Sequence, residues 1–258
     1  MHQPARLVES DILYYKDLDL DPRRSALRSR LLRNLISLKL VEEAFLVDPR
    51  LDDLDAAWAR SDAESVLRLA RARYADSPSS PARRNLMSAL AIYSDNPEEA
   101  MPLAREVFSE LENSQWQAWW FLLDIAWMAD MLEYPSEAMQ WRDLGAAALE
   151  AAIKAGKSGG RFEFGKMQLA MLDGRKQDAL EALEQAIELG VRRNWIGESR
   201  RYAAFRDDPQ FQALVTRMLD TIASEREQVV AMLCGPDPIV TTWQPAPETC
   251  ASEPNNSP

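Results

Sequence analysis

The chain has one histidine, His2, and two cysteines, Cys234 and Cys250, among 258 residues. A lone histidine near the start removes most His-based proton transfer and most zinc chemistry. The cysteines form no CxxC pair and no zinc spacing. A disulfide between them is possible but has little to staple there, and free thiols fit a reducing compartment. A long apolar run is missing as well. The most apolar stretch, AWWFLLDIAWMADML over 118–132, is too short to span a bilayer and holds Asp124 and Asp130. The first residues, MHQPARLVESDILYYKDLD, carry acids and have no continuous apolar centre, so they are not expected to be a secretory signal. A cytoplasmic protein is expected.

Strand signals are also scarce. No Asn-Gly turn separates alternating segments, and β-branched runs are few. A net charge of −11 argues against a general nucleic-acid binder, because phosphate contacts need clustered Lys and Arg. The charge is uneven. Residues 1–41 carry eight Lys/Arg against five Asp/Glu, and the remainder carries 22 against 36.

What is present is helical. Apolar residues recur at three- and four-residue spacing, broken by Asp, Ser, Asn, Pro or Gly. The pattern predicts helices over 23–47, 51–60, 62–75, 81–94, 97–112, 115–132, 135–155, 160–172, 175–189 and 207–233. They divide into hairpins, and one hairpin reads as a repeat. GRKQDALEALEQAIELG, over 174–190, has a glycine at the turn and then Ala179, Leu183 and Ala186 on one face. It resembles the tetratricopeptide repeat, a pair of antiparallel helices of about 34 residues. In that family a small residue stands where the two helices cross most closely. Ala179 fills that position, and the same frame upstream gives Ala138, Ala100 and Val66, in steps of 41, 38 and 34 residues.

The later segment NWIGESRRYAAFRDDPQFQALV is similar to the closing part of tetratricopeptide regions in bacterial adenylate cyclases and winged-helix transcriptional regulators. The matching residues are Phe205, Arg206, Asp207, Asp208, Pro209, Phe211 and Leu214. Asp208 can cap the last helix, with Pro209 at its first position. Neither a cyclase domain nor a winged helix fits upstream, so those activities do not carry over. The resemblance implies an all-α, right-handed superhelical solenoid of hairpins with a C-terminal capping helix. The expected organisation is an N-terminal segment with a basic amphipathic helix over 1–47, the repeat domain over 48–233, and a Pro-rich disordered tail over 234–258.

The stretch AGKSGG, 155–160, contains the Gly-Lys-Ser of a phosphate-binding loop. That loop needs a glycine five residues before Gly156 and a strand leading in. The position holds Ala151, inside a helical pattern. Gly156 instead reads as a helix C-terminal glycine. No G-x-S-x-G elbow occurs, and paired acids such as Glu98-Glu99 read as solvated helix ends. The expectation is a non-enzyme without cofactor, metal or nucleotide.

The resemblance also implies a partner surface. In the family the first helix of each hairpin lines a concave groove at fixed positions. Here these include Asn85 and Tyr93 in the second hairpin, Trp120, Trp127 and Asp130 in the third, and Arg161, Phe164 and Gln168 in the fourth. Aromatic anchors among polar groups suit an extended or helical segment of another protein. Plain core packing is the rival reading, since a helix apolar all round is usually buried on both sides. The function expected is a non-catalytic interaction scaffold or adaptor, as in bacterial signalling. The alternative is a membrane-peripheral or nucleic-acid-contacting regulator acting through 22–41, where six basic residues and no acid accompany Leu27, Leu31, Leu35 and Leu38.

Overall fold

The computed structural model describes residues 53–112, 119–193, 196–197, 199–235 and 247–251, with residues 35, 36, 38, 40, 43 and 44. Among them every regular element is helical. The helices are α1 (Asp53–Arg60), α2 (Ala63–Asp76), α3 (Ser80–Tyr93), α4 (Ala100–Glu112), α5 (Trp119–Met131), α6 (Pro135–Lys154), α7 (Gly160–Leu172), α8 (Lys176–Glu188), α9 (Pro209–Cys234) and α10 (Pro247–Ala251). Short 3-10 turns cover Pro97–Glu99 and Arg200–Phe205. Contacts divide the chain into two compact units: 62–191 with 195–215, and 1–61 with 192–194 and 216–258.

The larger unit contains the hairpins. Its starts follow side-chain caps: Asp62 accepts from the Ser65 amide at 3.1 Å, and Ser79 accepts from Ala82 ahead of Pro81. Asp208 accepts from the amides of Gln210 and Phe211 at 2.8 and 3.0 Å, with Pro209 opening α9 as the sequence predicts.

The turns inside two hairpins are the same turn. After α5, Glu133 takes φ +63° and the Tyr134 amide donates to the Ala129 carbonyl at 2.8 Å. After α7, Gly174 takes φ +68° and the Arg175 amide donates to Ala170 at 2.8 Å. These positions are 41 residues apart, the step between Ala138 and Ala179. The far ends match too. Gly156 and Gly190 stand at φ +82° and +88°, followed by Lys157 donating to Ala152 and Val191 donating to Ala186. That step is 34 residues. The seven-residue difference is the extra length of α6, 20 residues against 13 for α8. Gly156 thus closes a helix, and the segment leading into Lys157 is helical where a phosphate loop requires a strand.

Two ion pairs between neighbouring hairpins share an offset. Arg71, five residues beyond Val66, meets Glu99, just before Ala100, at 3.2 Å. Arg105, five beyond Ala100, meets Glu137, just before Ala138, at 2.8 Å. Both pairs are solvated and contribute well under about 1 kcal/mol. The next pair, Arg142 with Asp173 at 2.9 Å, does not keep these offsets. Val66, Ala100, Ala138 and Ala179 are all buried.

Two glycines let neighbouring helices approach α5 closely. A Cβ on Gly145 of α6 would come within 2.9 Å of Leu123 Cδ2, and one on Gly165 of α7 within 2.5 Å of Trp119 Cζ3. Trp119 and Leu123 of α5 join Leu149 of α6 in a core cluster, with Phe162, Leu169 and Leu172 of α7 against it. Phe211 and Leu214 of α9 are buried, and the Phe211 ring lies 6.0 Å from Phe205 and 6.2 Å from Tyr202.

The smaller unit corrects two expectations. The cysteines are not free thiols: Cys234 at the end of α9 is bonded to Cys250 in α10, with Cα atoms 5.5 Å apart. Part of the segment read as an extended tail is therefore a helical turn tied back to α9, and Thr249 donates its hydroxyl to the buried Glu43 carboxylate. One continuous helix over 23–47 is also not found. Leu38 lies in a turn, and the Leu40 amide donates to the Leu35 carbonyl at 2.9 Å, which ends one helical stretch before the next. The basic residues from Arg23 to Arg33 lie outside the described residues.

Candidate partner-binding face of helices α3, α5 and α7

Helix α5 has Asp124 inside a run that is otherwise apolar from Trp119 to Ala129. A carboxylate there, half-buried among apolar neighbours, is favoured by a cation beside it. The cation is Arg201, 77 residues away, from the 3-10 turn that Ser199 caps. Arg201 also donates to the Leu123 carbonyl at 3.2 Å, and its guanidinium lies 5.1 Å from the centre of the Trp127 ring. The Gln168 amide of α7 borders both groups: its Nε2 is placed 3.4 Å from Asp124, and with the amide turned over its oxygen accepts from Arg201 at 2.9 and 3.2 Å. The Arg201 side chain is 10% exposed and that of Asp124 35%. Burial alone would lower the Arg201 pKa. The Asp124 charge, the nearby Tyr202 hydroxyl and the hydrogen bond to Asp124 together outweigh it and hold the group above its ordinary value. Next to it, Arg200 donates to the Ser94 carbonyl at the end of α3, at 3.2 Å.

A second cluster occupies the first turn of α5. Arg161 of α7 stacks over Trp120 at 3.8 Å and lies 5.5 Å from Trp119. Phe121 follows at 5.8 Å from Trp120, with Arg84 of α3 over its ring at 4.9 Å. Arginine, aromatic, aromatic and arginine run in sequence across three helices. Each guanidinium sits over an aromatic ring at cation–π distance.

The residues named from sequence divide accordingly. Trp127 and Gln168 meet at Arg201, and Trp120 and Arg161 meet each other. Asn85 and Tyr93 stand half-buried on α3, Tyr93 beside the Ser94 carbonyl that Arg200 holds. Asp130 is exposed and forms no ion pair among the described residues. Phe164 and Gln168 are each 6% exposed, so they present little surface themselves. Sequence reasoning missed Asp124, Arg201 and Arg84. The signal for the first pair was available: one acid at the centre of an apolar helix predicts a buried cation from elsewhere. Which cation was not readable.

Among the described residues no group of three or more His, Cys, Asp or Glu could hold a metal ion. No described helix is long and apolar enough to cross a membrane. No family model, no curated protein and no solved structure matches the chain.

Proposed function

We propose that the chain is a non-catalytic interaction module of the tetratricopeptide kind, a right-handed solenoid that holds a segment of a partner protein along the face formed by α3, α5 and α7. The observation that carries this reading is the state of Trp120 and Trp127. Both lie on one helix, both are half-buried, and both have an arginine stacked on them. Partly open aromatic surface edged by charged donors is what binding hot spots are built from. The repeated hairpin turns favour a preformed surface, which lowers the ordering cost of binding.

The disulfide bears on where this happens. A Cys234–Cys250 bond suits an oxidising compartment better than the reducing one expected from unpaired cysteines.

Photo-cross-linking in the native host tests the assignment. Benzoylphenylalanine placed at position 93, 120 or 127 is expected to give a discrete cross-linked partner. The same probe at Glu181, exposed on the outer helix α8, is expected to give none. Equal cross-linking at position 181 and at the three face positions would remove the reading.

A further inference from the structure

The site around Arg201 has a chemistry of its own. A guanidinium offers a rim of in-plane N–H donors and a flat π face. The rim meets the Asp124 carboxylate, the Leu123 carbonyl at 3.2 Å and the Gln168 amide oxygen at 2.9 and 3.2 Å. The guanidinium carbon lies over the Trp127 ring, 5.1 Å from its centre. A lysine could satisfy the carboxylate but not the spread of acceptors. Only the side chain of Arg201 enters these contacts, so its backbone is no part of what is recognised.

The occupant and its counter-ion are unequally covered. Arg201 is 10% exposed, whereas Asp124 is 35% exposed, so the carboxylate keeps an edge on solvent while the arginine is inside. Asp130, less than two turns further along α5, is exposed and forms no ion pair among the described residues. Trp127 thus has a carboxylate on either side in sequence, in a chain of net charge −11 that favours approach of cations. The turn carrying Arg201 is fixed by the buried Tyr202 and Phe205 and by the Arg200 contact to Ser94. Exchange at the site therefore requires one side chain to swing out, not a segment to unfold.

We propose that Asp124, Trp127 and Gln168 form a guanidinium site that Arg201 fills as an internal occupant, and that the partner segment presents an arginine which takes its place. This rests on the inner-face reading above and adds the chemistry of the partner. Arg201 then acts as a tethered competitor. It lowers the apparent affinity for the incoming arginine by the fraction of time the site is closed.

Titration of the full chain with N-acetyl-arginine amide, followed by calorimetry, tests the site directly. The lysine and citrulline analogues serve as controls. The wild-type chain is expected to bind weakly. Arg201→Ala is expected to bind the arginine amide at least about tenfold tighter than wild type, and tighter than either control, because the competitor is gone. Adding Asp124→Asn to that variant is expected to abolish the gain. No gain in Arg201→Ala, equal binding of the lysine amide, or a gain that survives Asp124→Asn would each overturn the proposal. Should Arg201→Ala not fold, Arg201→Lys keeps a charge without the fork and is titrated in its place. Binding of the amide without any partner cross-linked at 93, 120 or 127 would leave only an internal clasp and overturn the partner half. Cross-linking with no response to arginine in the variant would retain the inner face and remove the guanidinium site.

Discussion

Helix α5 has two tryptophans seven residues apart, each with an arginine over its ring, and the two arrangements differ in every other respect. At Trp120 the arginine comes from the neighbouring helix, is exposed, and stacks closely at 3.8 Å. At Trp127 it comes from a turn 74 residues later, is nearly enclosed, and is paired with a carboxylate. The first is a surface contact between adjacent hairpins. The second ties the closing segment to the middle of the stack. The lesson is that identical pairs of side chains can fix quite different things, depending on what else reaches them.

The comparison is broken most severely at Asp124. Asp124→Ala would leave Arg201 enclosed without its counter-ion, and removing one partner of a buried pair costs about 3–5 kcal/mol. Partial exposure of the carboxylate reduces this to about 2 kcal/mol. Urea unfolding of the variant is expected to show that loss, with altered Trp127 fluorescence. A chain as stable as wild type would mean that the closing segment is held by its aromatic residues alone. Asp124→Asn is expected to cost less, since the amide oxygen still accepts from the guanidinium.

A second break concerns the ground on which both tryptophans stand. Gly165→Ala would drive a methyl group against the Trp119 ring, 2.5 Å from Cζ3. Overpacking costs about 1–3 kcal/mol, offset by about 1 kcal/mol of helix propensity. A net loss of about 1 kcal/mol is expected in thermal unfolding. Gly145→Ala is the milder counterpart. Its nearest neighbour at 2.9 Å is the end of the Leu123 side chain, which can yield more easily than an indole held between helices. Equal losses in the two variants would show that the α5–α7 contact is no tighter than the α5–α6 contact.

How much of this was legible in the sequence follows the range of the interactions. Helix limits are local: the predicted span 160–172 is α7 as observed, and 135–155 exceeds α6 by one residue. The burial of Ala100, Ala138 and Ala179 agrees with the resemblance, which asks for a small residue at each of these positions. The α9 cap at Asp208 was readable for a similar reason. The partners of Asp124 and Cys234 were not. Arg201 is one of many arginines, and its choice depends on where a 3-10 turn with a kinked Tyr202 delivers it. The Cys234–Cys250 pair depends on a short helix folding back after sixteen residues, which composition suggested would be extended. Trp127 and Gln168 were selected by register, yet register could not say that the chain's own arginine would meet them.

The smallest effect, and the sharpest comparison, comes from changing the two arginines in the same way. Arg161→Lys and Arg201→Lys both keep the positive charge and remove the planar fork. At Trp120 an ammonium can still rest on the indole, so Arg161→Lys is expected to lose about 0.5 kcal/mol or less, the scale of an exposed cation–π contact. At Trp127 the same change removes donors to the Leu123 carbonyl and to Gln168 together, leaving acceptors short of partners in an enclosed place. Its loss is expected to be the larger of the two by about 1 kcal/mol. Paired chemical-denaturation curves at low and high salt would measure the difference. The Arg201 loss should change less with salt, because the guanidinium is enclosed and only the carboxylate edge meets solvent, while any electrostatic part of the Arg161 loss should be screened. Matching losses at the two sites would mean that enclosure adds nothing to recognition of the guanidinium, and that Arg201 rests on Trp127 as loosely as Arg161 rests on Trp120.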